Sequence, residues 1–134
     1  MSEASPLAPV PREAARLISC VLPDDGTDRA LMRALRDERG ITRADSVYCR
    51  GVSILREARA PRGRLPEPSL ARLVTVVADA EEADALFAFI HERAGIGRSG
   101  GGTLFMTRLI MATSMQCPDG VPMESEGRSA SVPR

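Results

Sequence analysis

The stretch that organises this chain is rich in glycine and, over residues 93–105, reads Arg-Ala-Gly-Ile-Gly-Arg-Ser-Gly-Gly-Gly-Thr-Leu-Phe. It lies between a helical pattern and an apolar run. Consecutive glycines tolerate positive φ, so their backbone can curl and point several N–H groups at one anion, phosphate above all. Arg98 and Thr103 would add a guanidinium and a hydroxyl to such a site. A flexible connector between helix and strand explains the same glycines, and the stretch alone leaves both interpretations open.

The glycine stretch is not the phosphate loop of nucleotide hydrolases. That motif, G-x-x-x-x-G-K-[ST], leads from a strand into a helix and needs a lysine. Gly95 and Gly100 have the right spacing, but Gly101 stands in place of the lysine and the order runs from helix to strand.

Length and composition indicate one domain with an aliphatic core. The chain has 134 residues, 43% hydrophobic and 3% aromatic, without tryptophan. Its 18 basic and 18 acidic residues cancel, which argues against bulk attraction to nucleic acid or to a membrane surface. No apolar run approaches the roughly 20 residues of a membrane span, and the N-terminus lacks a signal-peptide pattern. We therefore expect a cytoplasmic protein with no nucleic-acid partner and no membrane insertion.

The metal-binding and nucleophilic side chains are few and scattered. Cys20, Cys49 and Cys117 form no paired short spacing, and His91 is the single histidine. This argues against a disulfide framework and against a metal site. No Ser-His-Asp or Cys-His pairing can be assembled, so we expect no catalytic residues and no enzyme.

The hydrophobic pattern predicts the element order β-α-β-β-α-β. The predicted strands cover 16–22, 46–55, 70–78 and 103–115. The first predicted helix follows a cap at Asp25 or Thr27 and ends at Gly40, and the second covers about 80–94. Two βαβ halves give an α+β, ferredoxin-like fold, a four-stranded antiparallel sheet with both helices on one face. The other face would carry uncovered apolar side chains, so we expect the chain to assemble with copies of itself through its sheet.

The remaining segments flank this domain or lie on its surface. Residues 1–14 are expected to form a disordered arm, 15–116 the domain and 117–134 a flexible tail. The proline-rich basic loop at 56–69 is long enough to be functional or mobile, and it contains no aromatic residue to stack a base. Four arginines of the first helix lie away from its apolar stripe and are interpreted as a solvated face: Arg29, Arg33, Arg36 and Arg39.

Several motifs together resemble the PII signal-transduction proteins over about residues 16–116. They are Cys-Val-Leu-Pro at 20–23, Gly-Ile-Thr at 40–42, Arg-Gly-Val-Ser at 50–53, and the helix and glycine stretch at 80–105. The form Gly-Arg-Ser-Gly-Gly-Gly-Thr is closer to the divergent PII-like branch. The resemblance implies a homotrimer with ligand sites in the clefts between subunits. It also implies binding of an adenine nucleotide and a mobile T-loop that docks on a membrane transporter or an enzyme.

The resemblance assigns a role to each matching position. Residues 54–69 would form the T-loop, with Gly51, Val52 and Ser53 at its base beside adenine and ribose. Val76 would pack near the base and Thr42 would lie at the rim. Gly100, Gly101 and Gly102 would offer amides to the phosphates, and Thr103 occupies the position of a phosphate-binding lysine.

Departures from the family pattern change the expected ligand. Leu55 replaces the glutamine that binds magnesium and 2-oxoglutarate, and Ser114 and Gln116 replace two phosphate-clamping arginines. Each lost charge-assisted hydrogen bond is worth roughly 1.5–3 kcal/mol, so triphosphate suffers most. Arg98 or Arg108 would compensate in part. We therefore expect AMP, ADP or a cyclic nucleotide rather than ATP as effector, and no tightly bound cofactor.

Relatives encoded beside carbon-concentrating machinery suggest a second effector, bicarbonate, and an inorganic-carbon transporter as partner. They carry a cysteine-rich C-terminal turn that the Cys-Pro-Asp-Gly at 117–120 resembles. A redox role for Cys117 would require Cys20 or Cys49 nearby, or another chain. Two alternatives to this signalling function stay open: a metal-binding ferredoxin-like trimer resembling the divalent-cation-tolerance proteins, and a ligand-free docking scaffold.

Overall fold

Within the residues that the structure describes, the fold contains two helices and a sheet of five strands. The computed structural model describes residues 10–51, 55, 62–64 and 66–114. The elements are β1 (Arg12–Pro23), α1 (Thr27–Arg39), β2 (Ala44–Gly51), β3 (Ser69–Asp79), α2 (Ala83–Arg93), β4 (Thr103–Met106) and β5 (Ile110–Thr113).

All the strand pairs are antiparallel, and the sheet has the order β2-β3-β1-β4, with β5 also paired to β1. β1 and β3 form the centre and pair continuously from Ala15 opposite Asp79 to Pro23 opposite Ala71. The two helices pack on the same side of this sheet. This arrangement confirms the predicted α+β ferredoxin-like fold, including the central position of the apolar strand at 70–78.

The last strand differs from the prediction, because the continuous strand expected at 103–115 is two strands separated by a bulge. Met106 lies opposite Ile18, and Ile110 lies opposite Ala15. Four residue steps from β4 to β5 therefore match three residue steps along β1. One residue is therefore extra. Thr107 joins the two halves: its N–H donates to the Leu17 carbonyl and its Oγ1 accepts from the Leu17 N–H, both at 2.9 Å.

Other element boundaries also shift. β1 begins at Arg12, so residues 12–14 of the predicted arm are strand and pair with β5. β2 begins at Ala44 and ends at Gly51. Residues 1–9, the tail at 117–134 and most of the predicted T-loop lie outside the described residues.

Local hydrogen bonds set the two ends of α1 much as the sequence indicates. The Asp25 carboxylate accepts from the Thr27 N–H at 3.0 Å and from its hydroxyl at 2.5 Å. At the other end Gly40 has φ of 65°, which suits glycine, and its N–H donates to the Arg36 carbonyl at 3.1 Å. Local hydrogen bonds therefore mark both ends of the helix, while Leu31 and Leu35 between them pack into the core.

The core lies between the sheet and the helices and is aliphatic, as the composition predicts. Alternate side chains of the two central strands point towards the helices, because successive residues of a strand face opposite sides. The buried side chains are Ile18, Cys20 and Leu22 of β1, Val74, Val76 and Ala78 of β3, Leu31 and Leu35 of α1, and Ala83, Leu86 and Ile90 of α2.

The opposite side of the sheet, here called the open face, is covered by neither helix. It presents an apolar set that runs across the strands, and three of its members are strongly exposed: Val47 at 48%, Phe105 at 51% and Ile110 at 38%. The set consists of Leu17, Val21, Val47, Leu73, Val77, Phe105 and Ile110.

Candidate functional site

The glycine loop, residues 95–102, is a series of tight turns between α2 and β4. Gly95, Gly100 and Gly102 have φ of 66°, 71° and 105°. The Arg98 N–H donates to the Gly95 carbonyl at 3.1 Å, and the Gly101 N–H donates to the Arg98 carbonyl at 3.0 Å. The Gly101 amide is thus engaged inside the loop, and a phosphate would have to compete for it.

Close packing explains two of the three consecutive glycines. A Cβ on Gly101 would lie 2.3 Å from the Gly95 carbonyl oxygen, and one on Gly102 would lie 1.9 Å from that of Val21. Both positions exclude any side chain, whatever the loop binds. Gly100 differs, because a Cβ there would meet nothing within 4 Å. Its positive φ favours glycine, but its outer surface is open to a ligand.

Arg98 connects the glycine loop to the turn before α1. Its Nη2 lies 3.3 Å from Thr27 Oγ1 and 3.5 Å from Asp25 Oδ2. The hydrogen bonds from the Thr27 hydroxyl and amide lower the pKa of Asp25, and Arg98 adds to the shift. The guanidinium is half exposed, so it can turn towards an anion, although the neighbouring carboxylate competes for it.

The predicted site residues fall at two ends of the sheet. Gly51 pairs with Ser69 and Thr103 pairs with Val21, so both lie at the end that holds the glycine loop. They lie on opposite edges, however, because β2 and β4 are separated by two strands. With strands spaced by nearly 5 Å, this separation is about 14 Å.

Three of the predicted residues are not brought to this end. Thr42 precedes β2, about 30 Å along the strand direction from Gly51. Arg108 lies in the bulge between β4 and β5. Val76 is 1% exposed in the core, and its place beside a nucleotide base stays a prediction. Val52 and Ser53 lie outside the described residues.

The cysteines differ in accessibility. Burial raises the pKa of the Cys20 thiol to about 12, and this side chain is 1% exposed, both of which disfavour thiolate chemistry at this position. Cys49 is partly exposed on β2, where it pairs with Ala71. Cys117 lies outside the described residues.

A buried polar cluster beneath α1 has no counterpart in the sequence analysis. Asp28 is 1% exposed, and its Oδ2 accepts from Ser46 Oγ at 2.8 Å and from Arg72 Nε at 3.0 Å. The Arg72 guanidinium also lies 3.8 Å from the centre of the Tyr48 ring. Burial alone would raise the pKa of Asp28, but the hydroxyl and the guanidinium outweigh it and lower that pKa. These partners come from β2 and β3, so sequence proximity gives no signal for the cluster.

A groove beside α1 is the second feature that the sequence analysis missed. It has a volume of about 430 Å³ and lies between the flank of α1 and the segment entering β2. Its lining residues are Arg29, Met32, Arg33, Arg36, Ile41, Thr42 and Ala44. Three of the arginines interpreted as a solvated face therefore border a concave site, and the spacing Arg29, Arg33, Arg36 was the available signal.

Within 10–51, 55, 62–64 and 66–114, no three His, Cys, Asp or Glu side chains are grouped so that they could hold a metal ion. In the same part of the chain, neither helix has the length and hydropathy needed to cross a membrane.

Comparisons with known proteins show the fold and not the family. No model of a known family and no curated protein matches the sequence. Among solved structures, the chain is similar to CutA from Synechococcus elongatus, with a TM-score of 0.55 and 10% sequence identity. The match covers 75% of this chain and 80% of that one. At this identity the likeness establishes a shared ferredoxin-like architecture.

Proposed function

We propose that this chain is a PII-like regulatory protein. Three copies associate through their open faces and bind a small anionic effector in the clefts between them. The effector is an adenine nucleotide, AMP, ADP or a cyclic nucleotide rather than ATP, or a small anion such as bicarbonate. Its occupancy changes the loop at 54–69, which then engages or releases a transporter or an enzyme.

The observation that carries this proposal is the position of Gly51 and the glycine loop. Both lie at one end of the sheet, but on opposite edges. At a separation of about 14 Å across two strands, a small anion such as bicarbonate cannot touch both within a chain, and a nucleotide would have to be fully extended to do so. The edge β2 of one copy beside the edge β4 of the next would complete the site.

The open face supplies the reason for association. Monomeric proteins rarely leave a contiguous apolar patch of this kind in water. Val47, Leu73 and Val21 form one apolar row across three strands. Burying that row and its neighbours Phe105 and Ile110 against other copies removes them from water.

The charge near the glycine loop favours an effector of low charge. Arg98 is the basic residue of the glycine loop, and Asp25 already accepts part of its hydrogen bonding. Thr103 offers a neutral hydroxyl. A single shared cation offsets the charge of a monophosphate or diphosphate better than that of a triphosphate.

Calorimetry on a matched pair of variants tests the site. Gly101 is unsuitable for mutation, since any side chain there would meet the Gly95 carbonyl. Gly100→Asp places a carboxylate on the open surface of the loop, and Gly100→Asn places a neutral side chain of the same shape; both residues tolerate positive φ better than most. We expect AMP or ADP to bind the wild type and to bind Gly100→Asp at least tenfold more weakly than Gly100→Asn.

Two results would contradict the proposal. One is the absence of binding by AMP, ADP, ATP and bicarbonate to the wild-type protein. The other is a monomeric mass of the wild type in light scattering at concentrations where the ligand binds, because the site would then not require a second copy.

A further inference from the structure

The groove beside α1, here called the arginine groove, combines an apolar floor with a cationic rim. Met32, Ile41 and Ala44 supply the floor, and the rim consists of Arg29, Arg33 and Arg36. A volume of about 430 Å³ is within the range of small-molecule sites, which are mostly apolar with a few convergent polar groups. The groove lies on the helix side of the sheet, away from the open face.

The positive charge of the rim is poorly compensated. Arg36 Nε lies 3.5 Å from Asp37 Oδ1, a long contact. Arg29 and Arg33 have no ion pair among the residues that the structure describes. The other acidic side chains of the adjoining elements are directed elsewhere: Asp28 to Ser46 and Arg72, Glu38 to Arg93, and Asp45 to Thr75.

The spacing of the rim selects the charge of the ligand. Side chains three or four residues apart on a helix are neighbours, about 5–6 Å between their Cβ atoms. One anionic group can therefore contact Arg33 together with Arg29 or Arg36. Guanidinium groups match phosphate oxygens in a forked geometry, and a phosphate monoester carries nearly two negative charges at neutral pH. A carboxylate carries only one.

The floor selects the rest of the ligand. Met32, Ile41 and Ala44 are aliphatic, and among the residues that the structure describes no aromatic ring borders the groove to stack on a base. We propose that the arginine groove binds phosphate monoesters with an aliphatic body, whose phosphate contacts Arg33 and one neighbouring arginine and whose hydrocarbon covers Met32, Ile41 and Ala44. This inference does not depend on the function proposed above.

The probes are hexyl phosphate, inorganic phosphate and hexanoate, titrated into the isotopically labelled full-length protein and followed by amide NMR shifts. We expect hexyl phosphate to shift the amides of residues 29–44 and to bind at least tenfold more tightly than either of the other probes. Equal affinity for inorganic phosphate would overturn the proposal, because it would indicate attraction to charge alone. Absence of binding by hexyl phosphate would overturn it as well.

Matched variants locate the site. Arg33→Gln removes the central guanidinium from an exposed helical position, and Arg12→Gln removes the same charge from an exposed position of β1. We expect Arg33→Gln to weaken the binding of hexyl phosphate at least fivefold. Arg12→Gln should change the affinity for hexyl phosphate less than twofold. An equal loss of affinity for hexyl phosphate in both variants would contradict specific binding in the arginine groove. If Gly100→Asp loses affinity for hexyl phosphate and Arg33→Gln does not, the ligand binds at the glycine loop, and this result would also overturn the inference.

Discussion

The two faces of the sheet are built from the same strands, but in a single chain one face is buried and the other is only partly covered. On the helix side, Ile18, Cys20 and Val74 are buried. On the open face, the intervening Leu17, Leu73 and Val77 are only partly covered, although they are equally apolar. The difference teaches that hydrophobicity does not decide burial here. What decides it is whether the chain supplies a helix to cover the face.

The helix side therefore stabilises the single chain, whereas the open face is the surface that the proposed association would cover. The two faces can be compared at neighbouring positions of β3, because the side chains of adjacent residues point to opposite faces of the sheet. Each of the following experiments alters one face and uses the other as its control.

The largest effect is expected from a charge placed in the core. Val74→Asp buries a carboxylate among aliphatic side chains with no partner, and that cost approaches or exceeds the stability of a typical domain. We expect this variant to show no cooperative thermal unfolding by circular dichroism. Leu73→Asp, one residue earlier, directs its carboxylate to the open face, and we expect it to fold but to lose self-association in sedimentation.

Two results would break the comparison. If Leu73→Asp unfolds as completely as Val74→Asp at all protein concentrations, the open face belongs to the core of a single chain. If Leu73→Asp keeps the assembly mass of the wild type, the copies associate through another surface.

A smaller effect is expected from replacing two carboxylates that pair with arginine, one of them buried and the other exposed. Asp28 is buried with Ser46 and Arg72, whereas Asp79 pairs with Arg43 at 2.6 Å with its side chain 48% exposed. Asp28→Asn leaves a partly buried guanidinium with a weaker acceptor, and we expect it to cost about 1–3 kcal/mol of unfolding free energy. Asp79→Asn, screened by water, is expected to cost less than about 1 kcal/mol.

The acid dependence of stability provides a second measurement of the Asp28 pair. The pKa of Asp28 is lowered on folding, so its contribution is present above the ordinary carboxyl value of 3.8 and is lost as pH falls through the lower folded value. The pKa of Asp25 is also lowered, but that shift is common to the wild type and the variant. Denaturant unfolding at pH 7 and near pH 3 should therefore show a smaller penalty for Asp28→Asn in acid. An equal penalty at both pH values would contradict this account.

The sequence predicts the fold well because the signals for it are local. Gly40 ends α1 and Pro23 ends β1, and the apolar run around Val74 marks a central strand. The bulge escapes prediction because it depends on the Thr107 hydroxyl meeting Leu17, 90 residues away in sequence. No periodicity within 103–115 reports that distant contact.

The candidate site is predicted less well, because a motif does not fix where its residues lie. The glycine stretch forms a turn as expected, but packing against Val21 explains Gly102 without any ligand. Val76 shares a strand with residues of the open face, yet its alternation directs it into the core. The arginine groove requires α1 and the entry to β2 to come together, which spacing along α1 alone cannot show.

The smallest effect, and the finest test of the two faces, concerns thiol reactivity. Cys20 is buried in the core with a pKa raised to about 12, and Cys49 lies on the open-face side of β2. In a Cys117→Ser background, a maleimide at pH 7 should leave Cys20 unlabelled in every folded sample, because thiolate is the reactive form and the side chain is inaccessible.

Labelling of Cys49 then reports whether copies cover the open face. We expect it to be slow at the high protein concentrations that favour assembly and several-fold faster on dilution, and fast at all concentrations in Leu73→Asp. Mass spectrometry after timed quenching measures both cysteines in one sample, with Cys20 as the internal control for unfolding. A Cys49 rate that does not change with concentration, in a wild type that scattering shows to associate, would mean that the assembly leaves the β2 side of the open face in water. The row of Val47, Leu73 and Val21 would then face solvent in the complex. Burial of these apolar side chains could then not be the reason for association.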